Sequence, residues 1–152
     1  MKLFLEIELV PKTSWYQNLR KALSNKDWEI VKKETFKNAS YRCEICNGKG
    51  NKHPVECHEV WEYDDINHIQ TFIRPIALCP LCHQAKHLGL QLKLGRFDQT
   101  VRHIKKLNRM TDQEIDSYVM KCFQQHNQRS KHNWTVDMSA IKEQFPNITL
   151  KN

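Results

Sequence analysis

Apolar and polar residues alternate at the start of the chain. Leu3, Leu5, Ile7 and Leu9 are interrupted by Glu6 and Glu8, a period of two that predicts a half-buried strand. Pro11-Lys12-Thr13-Ser14 ends it, and Ser14 predicts the cap of a short helix through Leu23. Ser24 with Asp27 predicts a second helix, in which Trp28, Val31, Thr35, Phe36 and Ala39 share one side and which ends near Ala39. Asn47-Gly48-Lys49-Gly50-Asn51 is a loop by composition. Val55 to Tyr63 and Ile69 to Leu78 read as an antiparallel hairpin turning at Asp64-Asp65-Ile66-Asn67, with Pro75 marking an edge or a bulge. Pro80 suits the first turn of a helix that stops near Gly89. Phe97, Val101, Ile104 and Leu107 recur at helical spacing. Thr111 to Glu114 forms a capping box ahead of a stripe of Ile115, Tyr118, Val119, Cys122 and Phe123, which makes Cys122 a core thiol. The polar run from Gln124 to Lys131 predicts a linker, and Ser139 to Phe145 a last short helix anchored by Trp134.

These elements predict an α+β fold. A length of 152 residues fits a single domain, 1–152, with a small core at 41–89, a strand and helix extension at 1–40 and a helical extension at 97–145. No apolar run approaches the roughly 20 residues of a bilayer span, so no membrane partner is expected.

Six cysteines change the picture. Cys43-x2-Cys46 and Cys79-x2-Cys82 are two knuckles whose spacers let all four sulfurs face one ion, as in a structural zinc site. The rival reading, a disulfide framework, belongs to secreted chains. Glu6 and Glu8 lie where a signal peptide would be apolar, so the expectation is a reduced, cytoplasmic protein.

Around the knuckles the sequence runs Glu56-Cys57-His58, then Leu78-Cys79-x2-Cys82-His83-x2-Lys86-His87. This resembles the HNH endonucleases of the ββα-metal group in their zinc-knuckle form, over about residues 41–89. The flanks resemble small bacterial and phage HNH-like proteins, which places the chain with phages or mobile elements. The resemblance implies a ββα-metal core with Zn²⁺ on Cys43, Cys46, Cys79 and Cys82, and a second divalent cation, Mg²⁺, Mn²⁺, Ni²⁺ or Zn²⁺. It carries Cys57, His83 and His87 to the ligand positions of that cation, and His58 to the general base that deprotonates a water for phosphodiester hydrolysis. His58 and His83 are then the catalytic residues. Positions 83 and 87, one helical turn apart, can reach one ion. Two positions depart from the family: Arg74 stands where its middle Asn falls, and Cys57 replaces an Asp or His. A thiolate there favours Zn²⁺, Ni²⁺ or Co²⁺ over Mg²⁺.

Charge supplies the partner. The chain carries +7, and +6 of it falls between His83 and Arg109. Arg102, Lys105, Lys106 and Arg109 avoid the apolar stripe and predict one exposed face for phosphates, with Arg74 and Lys86 as further phosphate contacts. The expected partner is DNA, with RNA as a second polyanion. The alternative is a degenerate HNH scaffold that binds nucleic acid or a protein partner without cleavage.

Overall fold

The computed structural model describes residues 2–151. The chain is α+β. Two short helices, α1 (Leu19–Ala22) and α2 (Asn25–Asn38), precede a hairpin of β1 (Glu56–Asp64) and β2 (Ile69–Leu78). Four helices follow: α3 (Pro80–Lys86), α4 (Leu88–Lys93), α5 (Phe97–Asn108) and α6 (Asp112–Arg129). A third strand, β3 (Thr135–Asp137), and α7 (Ala140–Gln144) complete it. The sheet order is β1-β2-β3.

The expected antiparallel hairpin forms, with Glu56 opposite Leu78 and Asp64 opposite Ile69. Its pairing shifts between Val60 and Trp61, leaving Ile73 as the extra residue of β2. Pro75 pairs with Glu59 beside that bulge, on a stretch where β2 has no third strand. The exposed side of β2 is covered there by Glu44, which exchanges two bonds with Ala77: Glu44 N–H to Ala77 O at 2.9 Å and Ala77 N–H to Oε2 at 2.7 Å. The first knuckle is thereby fastened to the strand that leads into the second.

Four expectations about the flanks are corrected. The N-terminal segment alternates, burying Leu5 and Ile7, but joins no sheet. Its backbone is satisfied by side chains instead: Leu5 N–H and C=O by the Asn108 amide, and Ile7 N–H by Tyr118 Oη. Ser14 caps no helix; it is buried and donates from Oγ to Gln70, while Asn18 caps the four-residue α1. The helix from Pro80 breaks at His87 and a second one begins at Leu88, so Gly89 is not its stop. Gln124 to Lys131 is no linker: α6 runs on to Arg129, whose guanidinium grips Asp65 in a bidentate pair and lies 4.2 Å from the Tyr63 ring. That stretch is polar because it bonds across the surface rather than packs.

Two apolar clusters result. One gathers Leu5, Ile7, Ile76, Leu78, Ala85, Leu88, Ile104 and Ile115 around Cys43, Cys79 and Cys82. The other gathers Leu19, Leu23, Val31, Trp61, Phe72, Ile141 and Ile148. Cys122 packs at the edge of the first, beside Tyr118. No described helix is long and apolar enough to cross a membrane.

Candidate functional site

The two knuckles meet. The ligand atoms of Cys43, Cys46, Cys79 and Cys82 all lie within 4.8 Å of one another, and Cys46 Sγ is 3.6 Å from Cys79 Sγ. Sulfurs at 2.3 Å from a tetrahedral zinc are about 3.8 Å apart, whereas a disulfide would need about 2.05 Å. All six cysteines are free thiols. The disulfide framework is therefore not formed, and the cluster is compatible with a zinc site. Backbone N–H groups of Cys46 and Gly48 point at Cys43 and Cys46 sulfurs (3.5 and 3.4 Å), as a thiolate requires. Crowding sets the charges: donors Cys79 and Cys82 hold the Cys43 thiol well down, and both of those are pushed up in turn, Cys79 to about 11. Without a cation the four sulfurs do not all ionise; a dication removes that repulsion.

His103 Nε2 lies 3.2 Å from Cys82 Sγ. Sequence reading assigned His103 no role. The available signal was its place on α5 one turn from Leu107, at the margin of the stripe turned toward α3.

The second cluster is made of three imidazoles. Ligand nitrogens of His58, His83 and His87 all lie within 4.8 Å of one another. β1 supplies His58; α3, opened by Pro80 directly after Cys79, supplies His83 and carries His87 at its C-cap. The facing Nε2 atoms of His83 and His87 are 3.1 Å apart, close to the roughly 3.3 Å that two imidazoles take on one tetrahedral ion. His83 Nδ1 contacts Glu56 Oε2 at 3.3 Å. A proton held on that nitrogen leaves Nε2 as the free donor. Glu56, given no role by the sequence reading, sits two positions before His58, on the same face of β1.

His58 is 2% exposed and neither ring nitrogen has a hydrogen-bond partner. Burial first, then the neighbouring His83 and His87, hold it well below the ordinary imidazole range. His87 is exposed as a residue, but its ring stands edge-on to His58 and His83, and desolvation pushes it down to about 4. His58 and His87 are therefore neutral at neutral pH, as metal ligands must be. Unpartnered nitrogens on a buried ring are costly unless something binds them; an ion would take one of the two, and the three converging imidazoles fit a divalent cation.

Cys57 does not belong to this set. Strand alternation turns it to the opposite face from His58, where its thiol meets Thr35 of α2 and burial pushes it up to about 12. His58, rather than Cys57, is the β1 residue that clusters with His83 and His87.

Two expected phosphate contacts are otherwise engaged. Arg74 pairs with Glu44 at 3.1 Å and donates to Pro75 O, bracing the first knuckle against β2. Lys86 is 8% exposed and faces Glu8, 3.8 Å away. Lys105 pairs with Asp112, while Arg102, Lys106 and Arg109 are exposed. None of Arg102, Lys105, Lys106 and Arg109 lines the cavities that hold His58, His83 and His87. The basic residues that share a cavity with an imidazole are Lys52 and Arg96, on a groove of about 570 Å³, Arg20, on a smaller cavity of about 220 Å³, and Arg74, Lys86 and Arg129, on a cavity of about 380 Å³ beside His58.

No family model, curated protein or solved structure matches the chain. What fold and site define together is a class: an α+β protein with a three-imidazole cluster on β1 and α3, and a four-sulfur cluster that joins the loop before β1 to the start of α3.

Proposed function

We propose that this chain is a metal-dependent nuclease of the HNH type, with a ββα-metal core and DNA as its substrate. The observation that carries the reading is the His58, His83 and His87 cluster, solvent-accessible through His83 and His87 and seated on the frame that the sulfurs hold. A divalent cation in that cluster would polarise a phosphoryl oxygen and lower the pKa of a bound water to about 7, which is the chemistry phosphodiester hydrolysis needs. The protein's own part is positional. Glu56 orients His83, the knuckles set the distance from β1 to α3, and Lys52, Arg96 and Arg20 draw the phosphate chain to the groove. The contact is with backbone phosphates more than base edges.

One observation favours the second reading, a zinc module that binds nucleic acid without cutting it. With His58 drawn into the imidazole set and Cys57 turned away, β1 keeps no further histidine to act as a base. Plasmid nicking in Mg²⁺, Mn²⁺, Ni²⁺, Co²⁺ and Zn²⁺, with His83→Ala and His58→Ala as controls, separates the two. Cleavage by the wild type that both variants lose supports the nuclease. Salt-sensitive binding with no cleavage in any metal establishes the module.

A further inference from the structure

Phe4, Trp15, Tyr16 and Tyr41 are large aromatics left exposed, and two of them are adjacent and lie on a segment next to the imidazoles. Trp15 is 62% and Tyr16 48% exposed, yet the segment that carries them is pinned at both ends. Ser14 is fully buried and bonds Gln70 at 2.7 Å. Leu19 is fully buried, and its N–H donates to Glu59 Oε1 at 3.1 Å, next to His58 on β1. The aromatics are therefore held outward by design of the backbone around them, at a fixed distance from the imidazoles. Trp15, Trp28 and Arg20 share the cavity of about 220 Å³ with His58, His83 and His87. Lys21 Nζ stands 5.7 Å from the Trp15 ring centre, so the flat face lies among positive charges. Arg20 and Lys21 have no ion-pair partner among the described residues.

We propose that Trp15 is a stacking platform for an unpaired nucleobase, and that the substrate class of the adjoining site is single-stranded or locally unpaired nucleic acid. This rests on the nucleic-acid reading above but not on cleavage. The reason is geometric. In a duplex each base face is covered by its neighbour, and only phosphates and groove edges are open to a side chain. A fixed indole beside two cations has a partner only where a base face is free. Arg20 and Lys21 then take the flanking phosphates, and the strand leaving the stacked base passes the imidazoles.

The test uses the full-length zinc-loaded chain in a His83→Ala background, so that no cutting confuses the binding. Fluorescence anisotropy measures a labelled 12-nucleotide DNA strand, the RNA of the same sequence, and the DNA duplex. The single strands are expected to bind tighter than the duplex and to quench tryptophan emission. Trp15→Ala is expected to weaken single-strand binding by roughly 5- to 150-fold, the range of one lost base-stacking contact, with Trp15→Phe retaining most of it. Because Trp15 is exposed, unchanged zinc content and circular dichroism are expected in both variants. The DNA and RNA arms decide which sugar is accepted. Duplex bound as tightly as single strand, no oligonucleotide bound, or Trp15→Ala binding like its parent each overturns the proposal. Single-strand binding that depends on Trp15, with a wild type that cuts in no metal, upholds it and overturns the nuclease alone.

Discussion

If the four-sulfur cluster holds the zinc it is compatible with, stripping that ion is the most severe perturbation the structure offers. Two thiolates 3.6 Å apart, as Cys46 and Cys79 are, repel by about 5 kcal/mol at an effective dielectric near 20. Four of them cannot stay ionised without a cation, and once protonated they are no longer ligands. The ion's binding free energy, roughly 10–16 kcal/mol for a structural zinc, is as large as the whole stability of an ordinary domain at about 5–15 kcal/mol. Three of the four cysteines lie in the first apolar cluster, between Ile76, Leu78 and Ile104, so the loss falls on the core itself. For a chain of this length each kcal/mol moves the melting temperature by about 2–4 °C. Demetallation should therefore lower it by more than about 20 °C, or abolish the transition. The assay is zinc per chain by elemental analysis, with thermal melts followed by circular dichroism before and after a high-affinity chelator. Near-ultraviolet signals of buried Trp61 and Trp134 should vanish on chelation and return with one equivalent of zinc. A demetallated chain that melts within about 5 °C of the loaded one would refute the argument.

Three further outcomes are expected. His103→Ala removes the partner of Cys82 Sγ and should weaken zinc binding about 10- to 100-fold without unfolding the loaded protein, read by competition with a chromophoric chelator; unchanged affinity would show the contact to be incidental. His58→Phe exchanges two unpaired buried nitrogens for an apolar ring, so without a second ion it should be neutral or stabilise by about 1–2 kcal/mol. Excess Co²⁺ should then raise the wild-type melting temperature and leave that of the variant unmoved, and equal responses would remove His58 from the ligand set. Burial raises the Cys122 thiol above its ordinary value. A raised pKa means less thiolate at a given pH, so alkylation of Cys122 at pH 8 should be slower than that of free cysteine. A free thiol of pKa about 8.5 is half-ionised there and nears its plateau about one pH unit higher; the Cys122 rate should reach half its plateau above about pH 8.5, and a half-maximum at or below that point contradicts the burial.

Much of this molecule is local, and what is local is written in the chain. The β1–β2 hairpin, the caps at Ser24 and Thr111 and the helical stripes follow from period and cap chemistry within a few residues. So does the sulfur cluster, because a two-residue spacer already turns each pair of sulfurs to one side and leaves only the meeting of the pairs to the fold. Tertiary structure decided the rest. Whether the alternating N-terminus would find a strand or two side chains depended on Asn108 and Tyr118, more than 100 residues away. The polar run at the end of α6 stays helical and is tied across the surface by Arg129 to Asp65 and by His126 to Val10 O. Cys57 and His58 are adjacent in sequence, and no spacing rule tells which of them a strand will turn toward α3; the packing of β1 against α3 chose His58. Residue types and intervals select the donors that can bind an ion. Only packing, which fixes the face each strand presents and the charges already paired, selects the donors that meet.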